Sequence, residues 1–128
     1  MTHDFTADIG RTAHLTFPVS IRDTAASVGS GVVQVLGTPI LIAWLEATTL
    51  QVLEVPAGDV SVGVRVEVDH LAASPVGADV RCSAELVAAT GARLTFRVAA
   101  FDLAAEREVA RGTITRAVVN LARFQQHN

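Results

Sequence analysis

The sequence predicts an α+β domain in which one long apolar helix is wrapped by a curved antiparallel sheet of about five strands. One segment, residues 40–55, is apolar around most of the helical circumference, which is typical of a helix buried on nearly every side. One stretch before it and four after it alternate apolar and polar residues, as half-buried strands do. A single buried helix among strands requires a sheet that curves around it.

The region before the helix has two parts. Residues 13–21 alternate as a strand does, but Pro18 lies among them, which indicates an edge strand or a bend. Residues 22–37 are small and rich in glycine and serine, so we interpret them as a loop or a frayed turn.

The helix has a clear start and a clear stop. We predict that it begins at Thr38 and Pro39, because threonine is a good N-cap and proline is tolerated at the first helical position. It then continues through residues 40–55 and ends before Pro56.

Four strand-like stretches follow the helix: 61–70, 78–89, 92–102 and 108–119. The first of them has valine at every even position from 62 to 68, which predicts that these valines and His70 share one face. Ser61 and Gly63 are predicted to lie on the opposite face. The turn at Thr90 and Gly91 predicts a hairpin between the next two strands.

No internal repeat or second domain is visible, so residues 1–128 are predicted to form one hotdog domain, the architecture in which a sheet wraps a central helix. We interpret residues 1–11 as a flexible N-terminal arm and residues 120–128 as a polar C-terminal tail. One sheet around one helix leaves long edges and an exposed face, so we expect a homodimer or a higher homo-oligomer joined at the sheet edges.

Composition excludes several kinds of chemistry and partner. The 128 residues contain no lysine, which excludes Schiff-base chemistry and a Walker A phosphate loop. The one cysteine, Cys82, cannot form an internal disulfide, and no pair of histidines has metal-ligand spacing, so no metal site is expected. A net charge of −3 and 5% aromatic residues argue against nucleic acid as a partner. No apolar run approaches the ~20 residues of a membrane span, and no secretory signal is readable, so we expect a cytoplasmic protein.

Three charged or titratable side chains interrupt the apolar pattern. Glu46 lies in mid-helix, and no basic residue occurs between Arg22 and Arg65 to pair with it locally, so it needs a distant partner, a functional role or an outward-facing position. His70 is in phase with core valines, where a histidine is either a hydrogen-bonded core residue or a catalytic one. Arg116 is in phase with apolar residues of the last strand and either pairs with a carboxylate or binds an anion or carbonyl.

Two further positions allow both an ordinary and a functional interpretation. Capping explains Thr38 fully, but a helix N-terminus also stabilises negative charge, including that of an oxyanion. Gly63 either accommodates packing or lets the backbone approach a ligand closely.

These positions belong to blocks that occur in one order along the chain: Gly37-Thr38-Pro39, Glu46-Ala47, Ser61-Val62-Gly63, the run DHLAASPVG at 69–77, Leu94-Thr95-Phe96-Arg97-Val98, and Gly112-Thr113 with Arg116. Together they resemble the fluoroacetyl-CoA thioesterase-like branch of hotdog proteins. The resemblance covers roughly residues 12–124, and HLAASPVG is its most specific part.

The resemblance implies a homodimer that hydrolyses short- to medium-chain acyl-CoA thioesters. Coenzyme A is then part of the substrate, and no other cofactor is implied. It further implies that Thr38, Glu46 and His70 form the catalytic set, at the dimer interface. Gly63 is implied to lie at the acyl group of the substrate, and Arg116 to help fix the acyl end.

The sequence departs from the family pattern at two places. Residues 28–37 contain valine and leucine where members that select fluoroacetyl-CoA carry aromatic gating residues, and Ile114 stands where many members have histidine. Both departures concern acyl selectivity and leave the catalytic trio intact. The aliphatic side chains of Val32, Val33, Val35 and Leu36, with those of the helix, favour an apolar acyl pocket.

Two alternatives stay open. One is a hydratase or dehydratase on the same fold, which the lack of histidine between His14 and His70 disfavours. The other is a non-catalytic module that binds or senses acyl-CoA, because function depends on the site and not on the fold.

Overall fold

The structure is a computed structural model that describes residues 3–126. The helices and strands are β1 (Thr12–Pro18), α1 (Ala25–Val28), α2 (Thr38–Leu50), β2 (Asp59–His70), β3 (Asp79–Thr90), β4 (Arg93–Asp102), β5 (Arg107–Asn120) and α3 (Leu121–Gln126). The five strands form one antiparallel sheet in the order β1-β3-β4-β5-β2. The predicted α+β class, with a long helix against a five-stranded antiparallel sheet, is confirmed.

The core lies between α2 and the inner face of the sheet. Alternate residues of β3 and β4 are buried there, namely Val80, Cys82, Ala84, Leu86, Leu94, Phe96, Val98 and Ala100. Leu41 and Leu45, one turn apart on α2, are fully buried against this layer. Alternate residues of the strands and residues one turn apart on the helix therefore pack against each other in a single apolar layer.

The helix starts and ends differently from the sequence-based expectation. Its N-cap is Gly37, and Thr38 is the first helical residue, so the prediction of Thr38 as N-cap is wrong. Pro39 is tolerated at the next position because the first N–H groups of a helix have no intrahelical partner. The helix ends at Leu50 and not at residue 55, since Val52 enters the core from the turn that follows. Apolar residues in such a turn continue the apolar pattern without continuing the helix.

Only one side of α2 is covered by this chain. Its buried residues are Leu41, Leu45, Thr48 and Thr49, whereas Leu50 is half exposed. The expectation of burial on nearly every side is therefore not met within one chain, because the sheet packs against one face of the helix. Ile40 and Trp44 pack partly against the core, whereas Pro39, Ala43 and Leu50 form an exposed stripe on the helix.

A β-bulge in β2 changes which residues face the helix. The pairing with β5 shifts between Gly63 and Arg65, so Val64 is an extra residue without a partner. Before the bulge Gly63 lies opposite the inward-facing Arg116, and after it the even-numbered positions face inward as far as His70. The prediction that Gly63 and His70 lie on opposite faces is wrong, because one inserted residue reverses the alternation.

The terminal segments and the first loop contain more structure than the sequence indicated. Phe5, in the segment expected to be a flexible arm, is buried in the core, and a short turn of 3-10 helix follows it at Thr6–Asp8. The segment 22–37, expected to be a loop, contains the four-residue helix α1, and the expected tail contains α3. Within residues 3–126, no helix has the length and apolar character needed to cross a membrane.

Candidate active site

The first polar pair of the site joins the start of α2 to the end of β2. The hydroxyl Oγ1 of Thr38 lies 2.7 Å from Nδ1 of His70, which is hydrogen-bond distance. Thr38 is exposed, so this pair is reached from the side of the hydroxyl. The two residues are 32 positions apart in the chain, and the interaction explains why the hydroxyl of Thr38 does not cap the helix.

The opposite edge of the imidazole ring, which carries Nε2, is buried. Nε2 of His70 is buried and has no hydrogen-bond partner among the described residues. Burial lowers the pKa of His70 below its ordinary value of 6.5, and the backbone of Ala72 opposes this shift only in part. The imidazole is therefore neutral at pH 7, with the hydroxyl of Thr38 as the polar group at its accessible nitrogen.

The second polar pair is an ion pair between α2 and β5. Nη1 of Arg116 lies 3.2 Å from Oε2 of Glu46. The rest of the guanidinium is held by Ser61, whose Oγ accepts from Nε at 2.9 Å and whose carbonyl accepts from Nη2 at 2.9 Å. Arg116 is only 6% exposed, whereas the side chain of Glu46 is 34% exposed. The carboxylate is thus fixed from the protein side and open on the other.

Gly63 makes room for this carboxylate. A Cβ atom added at Gly63 would lie 2.5 Å from Oε2 of Glu46, closer than any real contact of a Cβ atom, and 3.6 Å from Nη1 of Arg116. The absence of a side chain at this position therefore allows β2 to pass directly over the ion pair.

The two polar pairs are separated along the helix. Thr38 and Glu46 are eight residues apart, which at 1.5 Å per residue places them about 12 Å apart along the axis of α2. The five residues singled out in the sequence thus form two groups. One contains Thr38 and His70, and the other contains Glu46, Arg116 and Gly63.

Sequence reasoning missed one residue of the site and misplaced an apolar pair. Ser61 accepts two hydrogen bonds from Arg116, yet the alternation of β2 placed it on the opposite face. The signal that could have found it is Gly63, because an isolated glycine inside a strand pattern often marks a bulge. Of the four loop residues expected to line a pocket, Val32 and Val33 are 92% and 58% exposed, whereas Val35 is half-buried and Leu36 is buried in the core. Val32 and Val33 lie in the loop between α1 and α2, where their side chains face solvent.

The architecture is shared with solved hotdog structures. A hot-dog-like protein from Thermanaerovibrio acidaminovorans superposes with a TM-score of 0.88 at 27% identity, over 98% of this chain and 94% of its own. The structure of the fluoroacetyl-CoA thioesterase FlK superposes with a TM-score of 0.86 at 28% identity, over 93% of both chains. The fold and these matches define a hotdog-fold thioester hydrolase.

Sequence comparison identifies the family within that class. The profile of the fluoroacetyl-CoA-specific thioesterase family, FlK, matches residues 19–122. The fluoroacetyl-CoA thioesterase of Streptantibioticus cattleyicolor is 30% identical over 125 residues, which is 96% of this chain and 84% of that protein. The chain belongs to the fluoroacetyl-CoA-specific thioesterase family, as the motifs had predicted.

Replacing Gly63 by alanine is expected to displace the Glu46 carboxylate and leave the fold intact, because the clashing atom is the end of a flexible side chain. A misplacement of about 1 Å at a reacting group costs about 10²-fold in rate. We expect a loss of that order in thioesterase kcat for Gly63→Ala, with a melting temperature close to that of the wild type. Unchanged turnover in the folded variant would contradict a role for this carboxylate.

The buried imidazole predicts a stability that falls in acid. The folded pKa of His70 is below that of the unfolded chain, so as the pH falls through about 6.5 the unfolded state takes up a proton first. The free energy of unfolding, from urea titrations between pH 7.5 and 5, should therefore fall more steeply in the wild type than in His70→Gln. Equal slopes in the wild type and in His70→Gln would refute the burial argument.

Proposed function

We propose that this protein hydrolyses acyl-CoA thioesters with Thr38, Glu46 and His70 as its catalytic groups. The observation that carries the proposal is the arrangement of two polar pairs on one helix, each with a side open to solvent, in a chain of this thioesterase family. The reaction consumes water and releases a carboxylic acid and free coenzyme A. It takes no cofactor beyond the coenzyme A of the substrate.

Glu46 acts on the thioester carbonyl in this proposal. It either attacks the carbonyl carbon to form an acyl-enzyme anhydride that water then hydrolyses, or removes a proton from the attacking water. Arg116 holds Oε2 of Glu46, which orients the second carboxylate oxygen towards the substrate. Gly63 lies over the same carboxylate, so the acyl group meets backbone at this position and not a side chain.

His70 acts through Thr38. Because Nε2 is enclosed and Nδ1 faces the hydroxyl, a proton travelling between the imidazole and the substrate passes through Oγ1 of Thr38. The proton comes from the water consumed in the reaction and ends on the departing thiolate, so Glu46 and His70 regain their starting protonation states. The thiolate leaves readily because a thioester is already activated. The N-terminus of α2, where Thr38 lies, also stabilises the negative charge that develops on the carbonyl oxygen.

The two polar pairs meet in a dimer. Reacting atoms must approach to about 3–3.5 Å, whereas Thr38 and Glu46 of one chain are about 12 Å apart along the helix. β2 is an edge strand with Val64 and Val66 exposed, and one face of α2 is open. We propose that two copies join at these surfaces about a two-fold axis, so that Thr38 and His70 of one protomer face Glu46 of its partner.

The first test is hydrolysis of acyl-CoAs by the wild type and by Glu46→Ala. We expect turnover to fall by at least ~10² in the variant, since the carboxylate supplies nucleophilic or acid–base catalysis. Released coenzyme A can be followed with a thiol reagent, because burial raises the pKa of Cys82 to about 12 and leaves that thiol unreactive. Glu85→Ala removes an exposed carboxylate on β3 and serves as the matched control.

Full activity of Glu46→Ala would refute the catalytic assignment. A wild type that binds acyl-CoA without hydrolysing it would instead favour the non-catalytic binding module.

The second test asks whether the site is shared between protomers. Glu46→Ala and His70→Ala homodimers are each expected to be inactive. If Glu46 faces the partner's Thr38 and His70, a mixed dimer contains one intact site and one doubly defective site. Random exchange of equal amounts then makes half of the dimers mixed, which restores about a quarter of wild-type activity. If each site lies within one chain, exchange restores none.

A further inference from the structure

A cavity of about 490 Å³ lies at the C-terminal end of α2, between this helix and strands β2 and β4. Its apolar walls are Leu50, Leu53, Val55, Val60, Leu94 and Phe96. Three of these side chains, Leu53, Leu94 and Phe96, are buried in the core, so the floor of the cavity is fixed.

The cavity lies next to the ion pair of Glu46 and Arg116. Thr49, three residues after Glu46 and therefore on the same side of α2, lines the cavity. Ser61 lines it as well, and its hydroxyl accepts the hydrogen bond from Nε of Arg116. The cavity thus continues from the carboxylate of Glu46 in the direction away from Thr38.

We propose that this cavity is the acyl-chain pocket and that it takes an uncharged aliphatic acyl group of medium length. This inference rests on the proposed function, because it assumes that the thioester carbonyl lies at Glu46. The acyl chain leaves that carbonyl, passes Ser61 and enters between the aliphatic walls. The coenzyme A moiety extends from the opposite side of the carbonyl.

The volume exceeds the needs of a two-carbon acyl group. At about 30 Å³ for each methylene-sized group, the size of a water molecule in the liquid, an eight-carbon chain occupies about half of the cavity. Burial of one methylene favours binding by about 0.8 kcal/mol, which is about fourfold in kcat/KM at 25 °C. The rate should therefore rise with chain length until the cavity is filled.

The charged residues of the cavity determine which chemical group can lie at the far end of the acyl chain. Its polar lining includes the carboxylates of Glu54 and Asp59, and within residues 3–126 no arginine or histidine lines it. An acyl chain that ends in a carboxylate would meet like charge there, whereas a chain that ends in a methyl group would meet none.

The test is the profile of kcat/KM over acyl-CoAs from acetyl to dodecanoyl. We expect kcat/KM of the wild type to rise from acetyl-CoA to dodecanoyl-CoA, because a twelve-carbon chain, at about 30 Å³ for each carbon, still occupies only about three quarters of the cavity. Leu50→Trp places a larger side chain into the cavity from a half-exposed position, and should lower the ratio of octanoyl to acetyl kcat/KM by at least tenfold. Leu103→Trp, at a similarly exposed leucine on the β4–β5 turn, should leave that ratio unchanged.

Charge selection is tested separately with octanoyl-CoA and the CoA thioester of the eight-carbon dicarboxylic acid. In the wild type, kcat/KM should be at least tenfold higher for octanoyl-CoA than for the dicarboxylic thioester. In the double variant Glu54→Gln with Asp59→Asn, this ratio of kcat/KM values should be smaller. This variant removes two charges without adding volume, so it tests the cavity even if Leu50→Trp does not fold.

The outcomes separate this inference from the proposed function. Hydrolysis that is fastest on acetyl-CoA and falls with chain length would overturn the acyl pocket and leave the thioesterase in place. The absence of hydrolysis on every thioester would overturn the proposed function. Calorimetric binding of octanoyl-CoA and acetyl-CoA to the wild type would then still test the pocket, and equal affinities would overturn it.

Discussion

A buried guanidinium is the constraint on which the rest of the site depends. Arg116 occupies an inward-facing position of β5, where an aliphatic residue is the ordinary choice, and its charge must be satisfied where it lies. Two oxygens of Ser61 and the carboxylate of Glu46 satisfy it. The ion pair therefore ties α2 to β5 and β2, and it fixes the carboxylate that the proposed mechanism uses.

The bulge in β2 makes that arrangement possible. In a regular strand, Ser61 and Gly63 would face away from the side on which His70 lies, because the alternation has a period of two. The extra residue, Val64, brings both stretches of β2 to the same side. One strand thus supplies the hydroxyl and carbonyl that hold Arg116, the space above Glu46 and the imidazole beside Thr38.

Features that depend on short segments could be predicted from the sequence, and features that depend on contacts between distant segments could not. The strand alternation and the apolar helix gave the fold class, since both are properties of short segments. The motif blocks gave the family, and they gave the five residues on which the proposed site rests. The end of α2 was placed five residues too late, because Val52 is buried in a turn and apolar periodicity does not distinguish a turn from a helix there. The hydroxyl of Thr38 pairs with His70 and does not cap the helix, because a contact between segments 32 residues apart is not visible in a local capping pattern.

Composition and periodicity were sufficient for the class of fold and for the chemistries that 128 residues without lysine exclude, and the resemblance of the motif blocks was sufficient for the family, because each depends on residue type and spacing along the chain. The partner of Glu46, the side of β2 on which Gly63 lies and the cavity beyond Ser61 depend on register between strands far apart in sequence. A single inserted residue reverses that register, and only the folded chain shows where the insertion occurs.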